Sequence, residues 1–252
     1  MLIALHGFTE TDLSWQEVFA DTGIAVRTYL LPGHGHQLCP PDTSPSSVAA
    51  EIVRRFADQA PFDLLGYSMG GRVALQLALE HPQVVRRLML VSCRPGIAES
   101  DEREQRRLAD EGLAMMLEDC GIGQFVAWWE SNPALRYVRP LPRSMLEHIR
   151  CRRLNQDADG LAASLRCLGQ GATPSLWEHL GSINCPTMAI AGGADQRYVH
   201  DMERMVTAMP QARLSTVPEC GHAVHRECRD SLVNIVRGFL AQDTTSFRPS
   251  AG

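Results

Sequence analysis

The sequence contains no lysine, so all 24 of its basic residues are arginine. A codon bias is the simplest explanation of this imbalance. Each arginine nevertheless carries a planar guanidinium that suits carboxylates, and an anionic ligand would find donors wherever several converge. The 29 acidic residues outnumber the basic ones and the formal net charge is −5. This balance argues against nucleic acid as a partner, because binding to a phosphate backbone requires an excess of positive charge.

Long hydrophobic runs and targeting signals are also missing. No apolar run approaches the roughly 20 residues that a membrane span requires, and the hydrophobic share of 44 % is ordinary. The opening residues, MLIALHG, lack a basic segment and a small-residue cleavage site. We therefore expect a cytoplasmic protein without a membrane span.

The eight cysteines form no C-x-x-C pair and no other spacing typical of zinc sites. A disulfide framework is not expected in a chain of 252 residues without an export signal. We expect free thiols that pack as small apolar groups. No metal or organic cofactor is implied by any motif.

Short apolar runs alternate with helical patterns through much of the chain, which predicts a mostly parallel sheet flanked by helices. The predicted strands are 2–5, 26–31, 62–66, 87–92, 187–191 and 213–217, and the predicted helices are 44–60, 70–80, 201–209 and 226–240. Between 95 and 183 the sequence shows amphipathic stretches and no convincing strand. We predict a helical cap over 95–183, inserted into an α/β core formed by 1–94 and 184–252.

The strongest local motif is Gly66-Tyr67-Ser68-Met69-Gly70, a G-x-S-x-G between a predicted strand and a predicted helix. In this context the motif is typical of a nucleophile elbow, which exposes the Ser68 hydroxyl at the positive end of the helix. The alternative is a glycine-rich turn with an idle serine. A serine hydroxyl becomes reactive only beside a histidine that accepts its proton and an acid that orients the histidine.

Two residues after later strands meet that requirement in the order serine, acid, histidine. Asp195 follows the strand 187–191, and His222 follows the final strand. Both would reach the carboxyl edge of the sheet, where ligand sites form in parallel sheets. The alternative for Asp195 is a helix N-cap. For the oxyanion hole we predict the backbone N–H groups of Met69 and of Phe8, which lies in the loop after the first strand.

The motifs HGF, LPGHG, GYSMGG, GGADQR and CGHAVH together resemble the α/β-hydrolase superfamily over nearly the whole chain. Within it, GYSMGGR, SCRPGI, FVAWW and RRLNQDADGLAASL are most similar to the 2-succinyl-6-hydroxy-2,4-cyclohexadiene-1-carboxylate synthase family of menaquinone biosynthesis. Members of the wider superfamily carry one or two further strands before the HGF strand, so we expect a sheet with a shortened N-terminal edge.

This resemblance implies a lyase that eliminates pyruvate from a small polycarboxylate substrate. Ser68, activated by His222, would abstract a proton without forming an acyl-enzyme. The substrate-binding residues it implies are Arg72, Arg106, Arg153, Tyr67, Trp128 and Trp129. For the two cap arginines, Arg106 and Arg153, a solvated helix face is an equal alternative, and the adjacent Arg107 and Arg152 are competitors.

Two other functions stay open on the sequence alone. A carboxylesterase or carbon–carbon bond hydrolase would use the same triad with a less cationic pocket. A non-catalytic ligand-binding protein on the same scaffold is the third alternative, against which the intact catalytic positions argue. The oligomeric state is not indicated.

Overall fold

The computed structural model of the protein describes residues 1–132 and 136–243. Six strands form one sheet in the order β2-β1-β3-β4-β5-β6, and every neighbouring pair is parallel. The strands are β1 (Leu2–Leu5), β2 (Val26–Tyr29), β3 (Phe62–Tyr67), β4 (Val85–Val91), β5 (Thr187–Gly192) and β6 (Ala212–Val217). Strands β1, β3 and β5 are buried along their whole length, as expected for parallel strands covered on both faces.

Helices cover both faces of the sheet. They are α1 (Leu13–Phe19), α2 (Pro45–Arg55), α3 (Met69–Glu80), α4 (Ser100–Ser131), α5 (Arg143–Leu154), α6 (Ala158–Leu168), α7 (Gln196–Ala208), α8 (Val224–Glu227) and α9 (Arg229–Leu240). One apolar core lies between the sheet and α2, α3 and α7, and a second lies between the sheet and α1, α8 and α9. This arrangement confirms the predicted α/β class.

Several elements differ from the sequence expectation; helix α2, for example, ends at Arg55 instead of at residue 60. Helix α1 was not predicted, because seven residues are too few for a clear helical period. Helix α7 begins at Gln196, directly after Asp195 and five residues before the predicted start at 201. The predicted closing helix 226–240 is two helices, α8 and α9, since Cys228 leaves the helical conformation at φ −138°.

Between β4 and β5 the described residues contain helices and no strand. Helix α4 breaks at Gly121, where φ is 76°. It packs on α6 through a small apolar core of its own that includes Leu117, Phe125 and Leu165. The division of the chain into a core and a cap stays a prediction, which we use below.

Among the residues described, no helix combines the length and the apolar character needed to cross a bilayer. All eight cysteines are free thiols. Within 1–132 and 136–243, no cluster of histidine, cysteine and carboxylate side chains is arranged to hold a metal ion.

Candidate active site

Ser68 lies on the sharp turn between β3 and α3. Its φ of 49° and ψ of −108° place it in a strained region for a residue with a side chain. The glycines around it permit this turn. A Cβ on Gly66 would lie 2.5 Å from the carbonyl oxygen of Gly70, and a Cβ on Gly70 would lie 2.5 Å from that of His6. The motif therefore has the strand–turn–helix context that exposes the Ser68 hydroxyl.

The structure brings the three predicted triad side chains into one hydrogen-bonded row. His222 Nδ1 lies 2.8 Å from Asp195 Oδ2, and His222 Nε2 lies 3.3 Å from Ser68 Oγ. We assign the ring proton to Nδ1, because a carboxylate can only accept, which leaves Nε2 to accept the hydroxyl proton of Ser68. Asp195 stands at the N-cap position of α7, but its side chain makes no capping bond. The carboxylate therefore serves the histidine and not the helix.

Two backbone N–H groups near Ser68 are available for negative charge. Met69 is the first residue of α3, so its N–H has no acceptor within the helix. The N–H of Phe8 donates to no acceptor among the described residues. Both residues line the cavity above Ser68. Their role as an oxyanion hole stays a prediction.

His6 holds the loop that carries Phe8. Its Nε2 accepts a hydrogen bond from the Leu31 N–H at 3.0 Å, and its Nδ1–H donates to the Gly7 carbonyl at 2.8 Å. Burial lowers the pKa of His6, which keeps the ring neutral as this pattern requires. His6 thus supports the loop that carries Phe8.

A cavity of about 500 Å³ opens over Ser68 between the sheet and the helices that follow β4. This volume suits a small-molecule ligand. Five arginines from separate parts of the chain line the cavity. They are Arg72 of α3, Arg106 of α4, Arg136 of the segment between α4 and α5, Arg153 of α5 and Arg197 of α7. A pocket with this lining favours an anionic occupant.

Arg72 is the buried member of this set. Its Nη2 donates to the Leu168 carbonyl at 2.7 Å, while its Nε has no hydrogen-bond partner in the part of the chain that the structure describes. No carboxylate of the described residues lies within ion-pair distance of it. Burial lowers the pKa of Arg72, because the charged form has lost its water. A buried guanidinium without a counter-charge is the group in this site that most needs an anion.

Arg106 lies in the first half of α4 and reaches the same cavity. Its Nε donates to Asp110 at 2.8 Å, and its Nη1 donates to the Gln170 side chain at 2.9 Å. The adjacent Arg107 points elsewhere and pairs with Glu104 on the surface. The structure therefore places Arg106, and not its competitor, at the cavity.

Arg153 lies near the end of α5. Its guanidinium contacts Glu130 at 3.3 Å and the Tyr137 hydroxyl at 3.5 Å. The adjacent Arg152 pairs with Glu17, away from the cavity. Arg153 thus faces the cavity, with one carboxylate partner and one hydroxyl partner.

The aromatic residues that the resemblance implied divide into two groups. Tyr67 and Trp129 line the cavity, and Trp129 packs edge-to-face on Phe8 with ring centroids 5.5 Å apart. Trp128 does not line it, and 37 % of its surface is exposed. Successive helical residues point about 100° apart, and in α4 the Trp129 ring faces the cavity while the Trp128 ring lies on the exposed side. The expectation for Trp128 is corrected.

Several cavity residues were missed by sequence reasoning. The Tyr198 ring lies 4.4 Å from the His222 ring, and the Tyr198 hydroxyl accepts a hydrogen bond from Gln170 Nε2 at 2.8 Å. Its position three residues after Asp195, in the first turn of α7, could have suggested it. Gln170 lies outside any recognisable motif, so no sequence signal marked it.

Glu10 is a buried carboxylate at the cavity wall that the sequence also did not indicate. It accepts a hydrogen bond from His225 Nε2 at 2.8 Å and lies 3.4 Å from Arg226 Nε. Burial alone would raise the pKa of Glu10, but the neighbouring His225 and Arg226 outweigh it and hold the pKa below its usual range. The negative charge of Glu10 is therefore matched within the protein.

Comparison with known proteins identifies related chains. The profile of the "Alpha/beta hydrolase family" matches residues 2–235. A Bacillus subtilis protein named "Putative 2-succinyl-6-hydroxy-2,4-cyclohexadiene-1-carboxylate synthase" is 33 % identical over 95 % of this chain and 89 % of its own length. A Salmonella newport protein named as that synthase is 27 % identical over 94 % of this chain and 93 % of its own length. The solved structure of MenH from S. aureus has a TM-score of 0.87 and 33 % identity, and it covers 95 % of this chain and 92 % of that chain.

Proposed function

The chain belongs to the α/β-hydrolase family, and we propose that within this family it is a carbon–oxygen lyase of menaquinone biosynthesis. The proposed reaction eliminates pyruvate from 2-succinyl-5-enolpyruvyl-6-hydroxy-3-cyclohexene-1-carboxylate. The observation that carries the proposal is the unpaired, buried guanidinium of Arg72 in a cavity that Ser68 and four further arginines also line. The names of the B. subtilis and S. newport relatives support the same reaction.

Ser68 acts in this reaction as a base. His222 accepts the Ser68 hydroxyl proton at Nε2, and Asp195 stabilises the imidazolium through its contact with Nδ1. The activated oxygen of Ser68 removes a proton from a ring carbon of the substrate. The electron pair of that C–H bond forms a ring double bond and shifts the ring electrons, and the C–O bond to the enolpyruvyl group breaks. The departing enolate takes up, at carbon, the proton that His222 carries and becomes pyruvate. This step restores the neutral imidazole, and no acyl-enzyme forms.

The arginines bind the carboxylates of the substrate. Arg72 supplies a buried donor from α3, the helix that begins directly after Ser68, while Arg106 and Arg153 approach from the cap. Each has a neutral partner, Leu168, Gln170 or Tyr137, that orients the guanidinium. Arg106 and Arg153 also each contact one carboxylate, of Asp110 and of Glu130. Carboxylates held at several points keep the reacting carbon in place, which lowers the entropic part of the barrier.

The N–H groups of Phe8 and Met69 stabilise the negative charge that develops on the substrate during proton abstraction. Tyr67 and Trp129 cover the cavity walls and limit access of water. The segment 95–183 acts as the cap in this proposal, because α4 and α5 carry Arg106 and Arg153, and residues of α4, α5 and α6 line the cavity above the sheet.

The proposed partner is a small polycarboxylate, and the proposed compartment is the cytoplasm. Eight free thiols fit a reducing compartment. Neither proposal depends on the oligomeric state.

Comparing two substrates tests the lyase against an esterase with the same triad. The purified protein is incubated with the enolpyruvyl substrate, and pyruvate is measured with lactate dehydrogenase; p-nitrophenyl acetate is assayed in parallel. We expect pyruvate release to exceed ester cleavage by a factor of 10³ or more in kcat/KM, on the scale of several bidentate carboxylate contacts. Rapid ester cleavage without pyruvate release would refute the lyase and favour the hydrolase.

A further inference from the structure

One carboxylate oxygen of Glu227 receives three backbone hydrogen bonds. Its Oε2 accepts from the N–H groups of Gly221 at 2.9 Å, Val138 at 3.0 Å and Arg139 at 2.9 Å. Hydrogen bonds to an ionised acceptor are about twice as strong as neutral ones. Glu227 is therefore a strong point of attachment for two backbone segments that lie far apart in the chain.

The first segment is the loop of the predicted catalytic histidine. Gly221 directly precedes His222, and there is no space beside it: a Cβ on Gly221 would lie 2.7 Å from Glu227 Oε1 and 2.9 Å from Val138 Cγ2. The carboxylate and the valine therefore both pack closely against the backbone that carries the imidazole.

The second segment belongs to the cap, between α4 and α5. Besides its N–H, Arg139 donates from Nη1 to Cys228 Sγ at 3.6 Å, next to Glu227. Tyr137 lies one residue before Val138 and lines the cavity, where its hydroxyl contacts Arg153. The segment that Glu227 holds thus also positions a partner of a proposed substrate-binding arginine.

We propose that Glu227 is a positioning residue that couples the seating of cap residues 137–139 to the orientation of His222. Glu227 Oε2 accepts all three hydrogen bonds only when both segments are in place, because two of the donors come from the cap and one comes from the histidine loop. A displaced cap segment removes two of these bonds and the Val138 contact, and the backbone at Gly221 gains freedom. The part of the inference that concerns Arg153 rests on the proposed function; the tie to His222 does not.

Hydrogen exchange in the ligand-free protein tests the tie directly. NMR-detected exchange is measured at the amides of Val138, Arg139 and Gly221 in the wild type, Glu227→Ala and Glu227→Gln. We expect exchange to accelerate by about tenfold or more in Glu227→Ala, the scale of losing one bond to a charged acceptor, and by less in Glu227→Gln, whose amide oxygen still accepts. Asp230→Asn, an exposed carboxylate three residues further on, is the matched control and should leave these amides unchanged.

The coupling to His222 is tested by reaction of Ser68 with a fluorophosphonate, whose rate depends on proton acceptance by His222. We expect Glu227→Ala to label about tenfold more slowly than the wild type, and Glu227→Gln to recover much of the rate. In pyruvate release, Glu227→Ala should lower kcat and raise KM together. A merely structural role would lower the melting temperature and leave labelling of the folded protein unchanged.

The outcomes separate this inference from the proposed function. Absent pyruvate release in the wild type would refute the lyase, while exchange and labelling would still report on the tie. Unchanged exchange at Val138 and Arg139, or unchanged labelling of Ser68, in Glu227→Ala would overturn the inference. If Glu227→Ala does not fold, the same two measurements on Glu227→Gln decide, and wild-type values in both would overturn it.

Discussion

Replacing Arg72 by methionine should change folding stability and turnover in opposite directions. The guanidinium is buried; among residues 1–132 and 136–243 its Nε has no hydrogen-bond partner, and its Nη2 donates to the Leu168 carbonyl at 2.7 Å. In the ligand-free protein this charge destabilises the folded state, because the guanidinium has lost its water without gaining an anion. In the proposed substrate complex it pairs with a substrate carboxylate.

The stability term follows from two opposing costs. The effective penalty for burying an ion in a protein is several kcal/mol, and Arg72→Met removes it. The substitution also removes a charge-assisted hydrogen bond to Leu168 of about 1.5–3 kcal/mol. The difference favours the variant, so we expect the free energy of unfolding to rise by about 1 kcal/mol.

The catalytic term is larger. Truncating one partner of a buried, hydrogen-bonded charge pair costs about 2–5 kcal/mol. At about 1.4 kcal/mol for each factor of ten, this corresponds to a loss of roughly 30-fold to several thousand-fold in kcat/KM for pyruvate release.

Urea unfolding and steady-state pyruvate assays measure the two quantities on the same preparations. Arg107→Met is the matched control, because Arg107 is exposed and pairs with Glu104 outside the cavity; it should leave both quantities close to wild type. The reasoning is refuted if Arg72→Met loses stability while keeping wild-type kcat/KM, since Arg72 would then be a structural residue.

Three further predictions concern pH, the elbow and the cap. Burial lowers the pKa of His6 and brings that of His34 to about 3. Both rings therefore stay neutral in the folded protein, while in the unfolded chain they bind protons below the usual pKa of 6.5. The free energy of unfolding should be highest above that pH and fall below it by up to about 1.4 kcal/mol per histidine per pH unit. Urea unfolding at stepped pH checks this, and His34→Gln should make the decline shallower by about one proton. Gly66→Ala would place a Cβ 2.5 Å from a backbone oxygen of α3. Because the nucleophile elbow must then shift, pyruvate release should fall by about 10²-fold or more. An unaltered rate would show that the turn has room for a Cβ. Trp129→Ala should raise KM, whereas Trp128→Ala, an exposed neighbour, should not; equal effects in the same assay would contradict the assignment of the cavity wall.

The elbow and its two partners were predictable because each follows a strand with a strong local pattern. Parallel strands deliver the residues after their carboxyl ends to one edge of the sheet, so the order of Ser68, Asp195 and His222 in the chain implied their proximity. The N-cap alternative for Asp195 was correct about its position, since the residue directly precedes α7. It was wrong about the capping hydrogen bond, because the carboxylate contacts His222 and not the N–H groups of the helix. Sequence pattern locates a residue in an element, but the partner of its side chain depends on tertiary packing.

The cavity walls were less predictable for the same reason. The cavity contacts of Arg106 and Arg153 depend on helix rotation, which a strongly charged helix pattern does not determine. Trp128 and Trp129 are adjacent, so a shared motif could not separate the exposed ring from the partly buried ring that lines the cavity. Glu227 contacts residues 88 and 89 positions away, a pairing that local pattern cannot carry.

Pyruvate formation from 2-succinyl-5-enolpyruvyl-6-hydroxy-3-cyclohexene-1-carboxylate by the wild type and by Ser68→Ala is the most direct test of the account. Circular dichroism confirms that the variant is folded. We expect the wild type to release pyruvate and Ser68→Ala to lose about 10⁴-fold or more in kcat, because in the proposed mechanism the oxygen of Ser68 removes the substrate proton. Pyruvate release by a folded Ser68→Ala protein at a rate near that of the wild type would contradict it.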